Sequence, residues 1–357
     1  MSRRIARTLP LAALGVALAV PGAATAATRP VFMGLPPASQ KTFEKASSDA
    51  NAFFPSSIRI RAGDVVAFQP VGFHTVDMPP SGGPLPLVGP TGKKVAAADA
   101  AGIPFWFNAR DELGFDKRLL KQSFGKTLVK SPGYRITSGL PLGRKLKPLR
   151  VRFNKAGLYT YYCDIHPGMK GTVRVVGKGA PVPSPKSDAA RVKAQVAKAL
   201  AAAKALPAAT KPPANTISLG AQGKGGASYF GMLPDKLTVP SGATVTFAMP
   251  VGSSEVHTAT FGPGNPDKPA EYLGAIAATL QGAVFDGRAV YPSEAPGTPP
   301  AGLSPTLHGN GFWNSGFLDA VPASPLAASN AVTFTTPGTY QFVCLIHTFM
   351  KGTITVQ

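Results

Sequence analysis

Two short segments of this chain contain the same potential metal donors at the same spacing. In each, a cysteine is followed three residues later by a histidine and six residues later by a methionine. The two copies are Cys163, His166 and Met169, and Cys344, His347 and Met350. A thiolate, an imidazole and a thioether in one tight loop form a soft donor set, which suits copper better than zinc or calcium.

A further histidine stands upstream of each segment in a matching context. His74 lies in Val71-Gly-Phe-His-Thr-Val, and His257 lies in Ser254-Glu-Val-His-Thr-Ala. Each set then has two imidazoles, a thiolate and a weak axial thioether, which is the ligand set of a blue-copper electron-transfer site. The sequence therefore predicts two mononuclear copper sites in one chain.

The two cysteines also allow simpler interpretations. An exported protein with an even number of cysteines can join them in a disulfide. Cys163 and Cys344, however, occupy the same place in the same motif, each with its own histidine and methionine, which a disulfide does not need. Buried cysteine and methionine are also common core residues, but the repetition of the whole set argues against that interpretation.

These motifs resemble those of a known family. The pattern Tyr-x-Tyr/Phe-x-Cys-x-x-His-x-x-Met-x-Gly, with an upstream His-Thr, is similar to the cupredoxins, and the short spacing from cysteine to methionine resembles amicyanin and plastocyanin-like proteins. The resemblance implies Greek-key sandwiches with type 1 copper. It implies these ligands for the two ions: His74, Cys163, His166 and Met169 for the first, and His257, Cys344, His347 and Met350 for the second.

The elements that position these loops are also repeated. Residues 54–68 match residues 233–247, and in both stretches apolar residues alternate on either side of a glycine, Gly63 or Gly242. This pattern predicts two half-buried antiparallel strands in each half. Together with the resemblance, which implies Greek-key, cupredoxin-like sandwiches, this pattern leads us to expect an all-β chain of two such domains, with the donors at one end of each sandwich.

The domain plan follows from composition. Residues 1–26 combine arginines, an apolar run and a small-residue cleavage pattern, which predicts a signal peptide and an exported protein, whether periplasmic, in the cell envelope or extracellular. We expect domains at 27–178 and 215–357. The Ala/Lys/Pro-rich segment 179–214 is expected to be a partly helical linker, with a helix that Ser187-Asp188 would cap and Pro207 would stop. A membrane anchor at the N-terminus is disfavoured because the apolar run is short.

Each half also has a long insertion between its upstream histidine and its cysteine. Both insertions contain an aromatic patch next to asparagine, residues 105–108 in one and 312–314 in the other. Two interpretations stay open for these patches. They either cover the metal site or shape a docking face, or they pack as local core.

The net charge and the number of histidines favour some classes of function over others. The formal net charge is +20, which favours acidic redox partner proteins, whereas the scattered basic residues do not form a nucleic-acid-binding module. Four of the five histidines are assigned to copper, which leaves only His308, so a copper oxidase or nitrite reductase is disfavoured. We expect a carrier of single electrons, with copper storage, delivery or detoxification as the alternative. In folds that this chain resembles, the C-terminal histidine ligand usually lies near the surface, so His166, beside Pro167, and His347, near Phe349, are the expected points of electron entry. Lys170 and Lys351, next to the methionines, either meet an acidic partner or are simply solvated.

Overall fold

The computed structural model describes residues 26–322 and 324–357, so the predicted signal peptide lies outside the described residues apart from Ala26. The helices are α1 (Pro37–Glu44), α2 (Pro185–Ala209), α3 (Tyr272–Thr279) and α4 (Gly287–Val290), with 3-10 turns at Lys224–Gly226 and Leu307–Gly309. Among these residues no helix combines the length and the apolar character needed to cross a membrane.

Strands make up most of the regular structure. In the first half they are β1 (Thr28–Met33), β2 (Ser48–Ala50), β3 (Phe53–Phe54), β4 (Ser57–Arg61), β5 (Val65–Pro70), β6 (Asp77–Met78), β7 (Val88–Lys94), β8 (Asp111–Phe115), β9 (Thr127–Lys130), β10 (Ile136–Thr137), β11 (Leu149–Phe153), β12 (Gly157–Tyr162) and β13 (Lys170–Val176). In the second half they are β14 (Thr216–Gln222), β15 (Ala227–Leu233), β16 (Lys236–Val239), β17 (Thr244–Ala248), β18 (Val256–His257), β19 (Thr260–Phe261), β20 (Gly302–Leu303), β21 (Trp313–Asn314), β22 (Leu318–Asp319), β23 (Ser329–Phe334), β24 (Gly338–Val343) and β25 (Lys351–Val356).

The first half is a two-layer β-sandwich. One sheet has the strand order β3-β1-β5-β11-β9, and the other has the order β10-β6-β12-β13-β4. Alternate residues of these strands are buried, so that Phe68 of one sheet and Tyr161 of the other meet edge to face with their ring centroids 5.1 Å apart. The apolar residues at every second position of these strands therefore form the core between the two sheets, as expected of half-buried strands.

The second half repeats this arrangement. Its sheets have the orders β2-β15-β14-β17-β23-β20 and β16-β25-β24-β19-β21, and Phe247, Trp313 and Phe342 are buried in the core. The prediction of an all-β fold built from β-sandwiches is confirmed. The strands expected around Gly63 and Gly242 are also present, but within each half the two strands lie in opposite sheets and do not pair with each other.

A strand from the first half completes a sheet of the second. Strand β2 pairs antiparallel with β15, with Ala50 opposite Ala227 and Ser48 opposite Tyr229. Asn51, the next residue, donates its backbone N–H to the carbonyl of Gly226 at 2.8 Å. The two halves are therefore joined by main-chain hydrogen bonds, in addition to the segment that connects them.

The connecting segment contains a longer helix than expected. The hydroxyl of Ser184 caps the N-terminus of α2 by accepting from the N–H of Ser187, and Pro207 lies inside the helix near its end. Pro207 has no N–H and therefore loses one helical hydrogen bond, yet the helix continues to Ala209 rather than stopping at Pro207. Its apolar stripe packs against Phe43 and Phe54 and against Ala227 of the second half.

The two long insertions pack against each other. Phe105 and Phe107 of the first insertion and Phe312 of the second share one buried cluster, and the indole N–H of Trp106 donates to the carbonyl of Pro292 at 2.8 Å. Of the two interpretations left open for the aromatic patches, the structure therefore supports local core.

Candidate metal centres

The loop between β12 and β13 holds three of the predicted donors of the first half. The two strands pair from Gly157 with Val175 to Tyr162 with Lys170. Within the loop, the N–H of Cys163 donates to the carbonyl of Met169 at 3.0 Å, and the N–H of Met169 donates to that of His166 at 3.1 Å. The backbone therefore fixes the loop on both sides.

The second half forms the same loop between β24 and β25. The N–H of Cys344 donates to the carbonyl of Met350 at 3.0 Å, and the N–H of Met350 donates to that of His347 at 2.8 Å. Met169 and Met350 are both buried and pack in the core next to their cysteines. The repeated sequence thus folds into a repeated local structure.

In the first half, the upstream histidine meets this loop. The Nδ1 atom of His74, which precedes β6, lies 3.9 Å from the Sγ atom of Cys163, and Nδ1 of His166 lies 3.6 Å from the same sulfur. All three side chains are buried. Residues 89 positions apart in the sequence are therefore brought to one point.

In the second half, His257 at the end of β18 occupies the corresponding place. Its Nδ1 lies 3.7 Å from Sγ of Cys344, Nδ1 of His347 lies 3.9 Å from that sulfur, and the two Nδ1 atoms are 3.1 Å apart. These two trios are the groups of histidine, cysteine and acidic side chains in the described residues whose ligand atoms converge closely enough to hold a metal ion.

The spacing of these atoms fits a shared metal ion. Metal–nitrogen and metal–sulfur bonds of about 2.0 and 2.3 Å put the donors of one trigonal or tetrahedral site roughly 3.3 to 3.7 Å apart. The observed separations of 3.1 to 3.9 Å lie within about 0.2 Å of that range. Both cysteines are free rather than joined in a disulfide, so each sulfur is available to its own group.

Burial sets the protonation of these donors. It lowers the pKa of His74 and of His347 to about 4, and it lowers the pKa of His166 and His257 well below the ordinary value. The imidazoles are therefore neutral at pH 7, with Nδ1 free to bind a metal. Burial also raises the pKa of both cysteine thiols, so a metal that binds the thiolate must displace a proton.

The threonine after each upstream histidine ties the cysteine loop in place. The backbone N–H of Thr75 donates to Sγ of Cys163, and that of Thr258 donates to Sγ of Cys344, each at 3.4 Å. The Thr75 hydroxyl also accepts from the N–H of Asp164 at 2.7 Å, and the Thr258 hydroxyl accepts from that of Leu345 at 2.8 Å. Such hydrogen bonds to a ligating sulfur fix its position and adjust its electron density.

Sequence reasoning missed the glycines that make room for the upstream imidazoles. A Cβ on Gly34 would lie 2.7 Å from Nε2 of His74, and one on Gly220 would lie 3.4 Å from Nε2 of His257. Both glycines have positive φ, 101° and 83°. Gly34 directly follows β1 and Gly220 lies in β14, and these strands correspond, since they pair in parallel with β5 and β17. Their recurrence at matching places is the signal that could have revealed them.

The expectation that His166 is a near-surface ligand is wrong. Only 8% of His166 is exposed, because the second half covers it: Nε2 of His166 lies 3.6 Å from Oε1 of Glu255. His347 is partly exposed and packs near the ring of Phe230, with centroids 5.0 Å apart. Phe349, beside it, is 64% exposed.

Glu255 is a further residue of the site that the sequence did not reveal. Its other carboxylate oxygen, Oε2, lies 3.9 Å from Nε2 of His347, so one side chain lies beside an outer imidazole of each group. Burial raises the pKa of Glu255 to about 8, although the amide of Asn51 donates to its Oε1 and acts in the opposite direction. The corresponding position in the first half, two residues before His74, is Gly72. The appearance of an acidic residue in only one of the two matching segments was the sequence feature that could have indicated a special role for Glu255.

His308 lies outside both groups. Its Nε2 is 2.9 Å from Oε1 of Glu294, and its Nδ1 is 3.4 Å from Oδ2 of Asp99, a residue of the first insertion. The side chain therefore joins the two insertions by ion pairs.

No protein-family model matches this chain, and no curated protein matches it. Among solved structures it is similar to amicyanin from Paracoccus versutus, with 15% identity and a TM-score of 0.23, over 43% of this chain and 89% of that one. It is also similar to oxidised plastocyanin from Dryopteris crassirhizoma, with 24% identity and a TM-score of 0.21, over 40% of this chain and 99% of that one. These similarities are weak, and the two-layer β architecture is established by the strand pairing itself.

Proposed function

We propose that this protein is an exported electron carrier that holds two mononuclear type 1 copper ions, one in each half. The proposed ligands are His74, Cys163, His166 and Met169 for the first ion, and His257, Cys344, His347 and Met350 for the second. The observation that carries the proposal is the convergence of two imidazole nitrogens and a buried thiol sulfur in each half. Copper bound to such donors takes up and releases single electrons.

The surroundings of the donors support a carrier over a delivery or storage protein. Backbone hydrogen bonds hold each loop closed, and Thr75 and Thr258 hold the sulfurs from the opposite side. Fixed donors suit a metal that changes oxidation state in place, because little has to move with the electron. Burial of His166 and Cys163 also opposes the ready release that delivery of copper requires.

An enzymatic role has little support among the histidines. Four of the five belong to the two donor groups, and the fifth, His308, is engaged with Glu294 and Asp99. A further catalytic copper would lack the imidazoles it usually requires. We therefore propose that the partners are redox proteins with acidic surfaces. These would complement the net charge of +17 that is left of +20 once residues 1–26, with Arg3, Arg4 and Arg7, are removed.

We also propose that the two sandwiches correspond to domains at 27–178 and 215–357, linked by 179–214, and that residues 1–26 are removed during export. The helix Pro185–Ala209 occupies most of the proposed linker. N-terminal sequencing of protein recovered outside the cytoplasm tests the cleavage site directly. A product that retains the first 26 residues contradicts this part of the proposal.

Copper titration followed by optical spectroscopy tests the function. We expect the chain to bind two copper ions and to become intensely blue from charge transfer between thiolate and Cu(II). Cys163→Ser and Cys344→Ser should each remove one of the two chromophores, and the double variant should be colourless. Fast, reversible oxidation and reduction supports the carrier. A colourless protein that prefers zinc contradicts the copper assignment, and copper that is readily lost after reduction favours storage or delivery.

A further inference from the structure

Glu255 is a buried acidic residue between the two metal-binding groups. It is 7% exposed, and it lies two residues before the ligand His257 in the loop that leads into β18. Among the described residues its ion-pair partners within 4 Å are the imidazoles of His166 and His347, with no lysine or arginine. A buried carboxyl group needs polar partners, and the presence of two proposed metal ligands among those partners calls for an explanation.

The geometry of the two groups supplies one. In both, Nδ1 of the histidine faces the cysteine sulfur, which leaves Nε2 on the far side of the ring. The Nε2 atoms of His166 and His347 both face the Glu255 carboxylate, at 3.6 Å from Oε1 and 3.9 Å from Oε2. Ligating histidines commonly place the second ring nitrogen against a carboxylate, which orients the ring and makes it a better donor. Here a single carboxylate is placed to act on two rings.

Residues of the first half hold this carboxylate in position. The side-chain amide of Asn51 donates to Oε1 of Glu255 and, at 2.9 Å, to the hydroxyl of Ser254. Asn51 is itself 4% exposed and follows β2, the strand that the first half adds to a sheet of the second. The same contact that joins the halves therefore also places Glu255 between the metal-binding groups.

We propose that Glu255 is a positioning residue shared by both metal centres, because its carboxyl group lies against the outer imidazole of each. This inference rests on the proposed function, since it requires that both groups bind metal.

Single-site backgrounds test the proposal. Cys344→Ser leaves only the first-half site, whose proposed ligands all lie in the first half, and Cys163→Ser leaves only the second-half site. Cu(I) affinity is measured in each background by competition with a chromophoric chelator. Adding Glu255→Gln should weaken Cu(I) binding about tenfold or more in both backgrounds, the range found when a partner of a ligating histidine is removed. Asn51→Ala should weaken both sites in the same direction by a smaller factor.

A matched control separates this role from general damage. Glu294→Gln removes another carboxylate beside a histidine, His308, which is not a ligand, and should leave both Cu(I) affinities unchanged. Far-UV circular dichroism and the unfolding midpoint show whether each variant is folded. Unchanged affinity at the first-half site in the Glu255→Gln, Cys344→Ser protein overturns the proposal, as does an effect confined to the second-half site. If the single-site proteins bind no Cu(I) before Glu255 is changed, the proposed function itself fails.

Discussion

Gly34 lies against the ring of His74 so closely that a Cβ at this position would be 2.6 Å from Cδ2 and 2.7 Å from Nε2 of the imidazole. The glycine also has a φ of 101°, in the left-handed region that other residues rarely adopt. Two separate constraints therefore require glycine here. One concerns the backbone, and the other concerns the position of a proposed metal ligand.

We predict that Gly34→Ala displaces His74 and weakens metal binding at the first-half site by tenfold or more, because the added methyl occupies space that the imidazole needs. The backbone strain and overpacking should also destabilise the fold by about 1–3 kcal/mol each. Cu(I) affinity in the Cys344→Ser background and denaturant unfolding measure the two effects separately.

Gly63→Ala is the matched control for this change. Gly63 has nearly the same φ, 99°, but a Cβ there has no neighbour within 4 Å. It should therefore lose stability through strain alone and keep its metal affinity. Equal losses of affinity in the two variants would show that strain, rather than contact with His74, is responsible.

The Thr75 hydroxyl offers a second test of how the ligand loop is held. Thr75→Val preserves the shape and the backbone N–H that faces Cys163, but it removes hydrogen bonds to the N–H and the carboxylate of Asp164. Leaving these buried groups unpaired should cost about 1–3 kcal/mol. Denaturant unfolding of the metal-free protein measures the loss, and Thr75→Ser, which keeps the hydroxyl, should retain most of the stability. Equal stability of the two variants contradicts this account.

Asp77 should make stability depend on pH. Burial, followed by the nearby charge of Asp164, raises its pKa from 3.8 to about 7, although Arg135 acts against the shift. The folded state therefore favours the protonated carboxyl. The resulting stabilisation is fully present below about pH 4 and is lost as the pH rises through 7.

Asp77→Asn, which cannot ionise, removes this contribution together with the effect of Asp77 on the neighbouring Asp164 carboxyl. Between pH 4 and pH 8 the stability of the wild type should fall relative to the variant, on the order of a few kcal/mol, since one pKa unit corresponds to about 1.4 kcal/mol. Denaturant unfolding of the metal-free proteins across this range gives the difference. A difference that stays constant with pH shows that Asp77 does not titrate as described.

Sequence could predict the loops that carry Cys163 and Cys344 because their donors are local and repeated. It also predicted which upstream histidines meet them, because His74 and His257 share a context. Alternation of apolar residues identified the strands around Gly63 and Gly242. In each case the sequence pattern that supports the prediction spans only a few residues or occurs in both halves of the chain.

What the sequence did not reveal depends on contacts between distant segments. The burial of His166 results from Glu255 in the other half, and the position of Glu255 depends on strand β2 joining β15. A strand of only three residues has too short an alternation of apolar and polar residues to predict which strand it pairs with. The strands around Gly63 were correctly predicted to exist, but alternation alone does not tell which sheet each one joins.

His308 should stabilise the contact between the insertions in a pH-dependent way. Burial alone would lower its pKa, but the Glu294 and Asp99 carboxylates outweigh this and raise the pKa above 6.5. The stabilisation is therefore fully present below pH 6.5 and is lost as the pH rises through the raised folded-state value. His308→Gln should destabilise the protein by about 1–3 kcal/mol at pH 6 and by less at pH 9, measured by denaturant unfolding. Because Gln does not titrate, a loss that is the same at both pH values would mean that the charge on His308 contributes nothing to this contact.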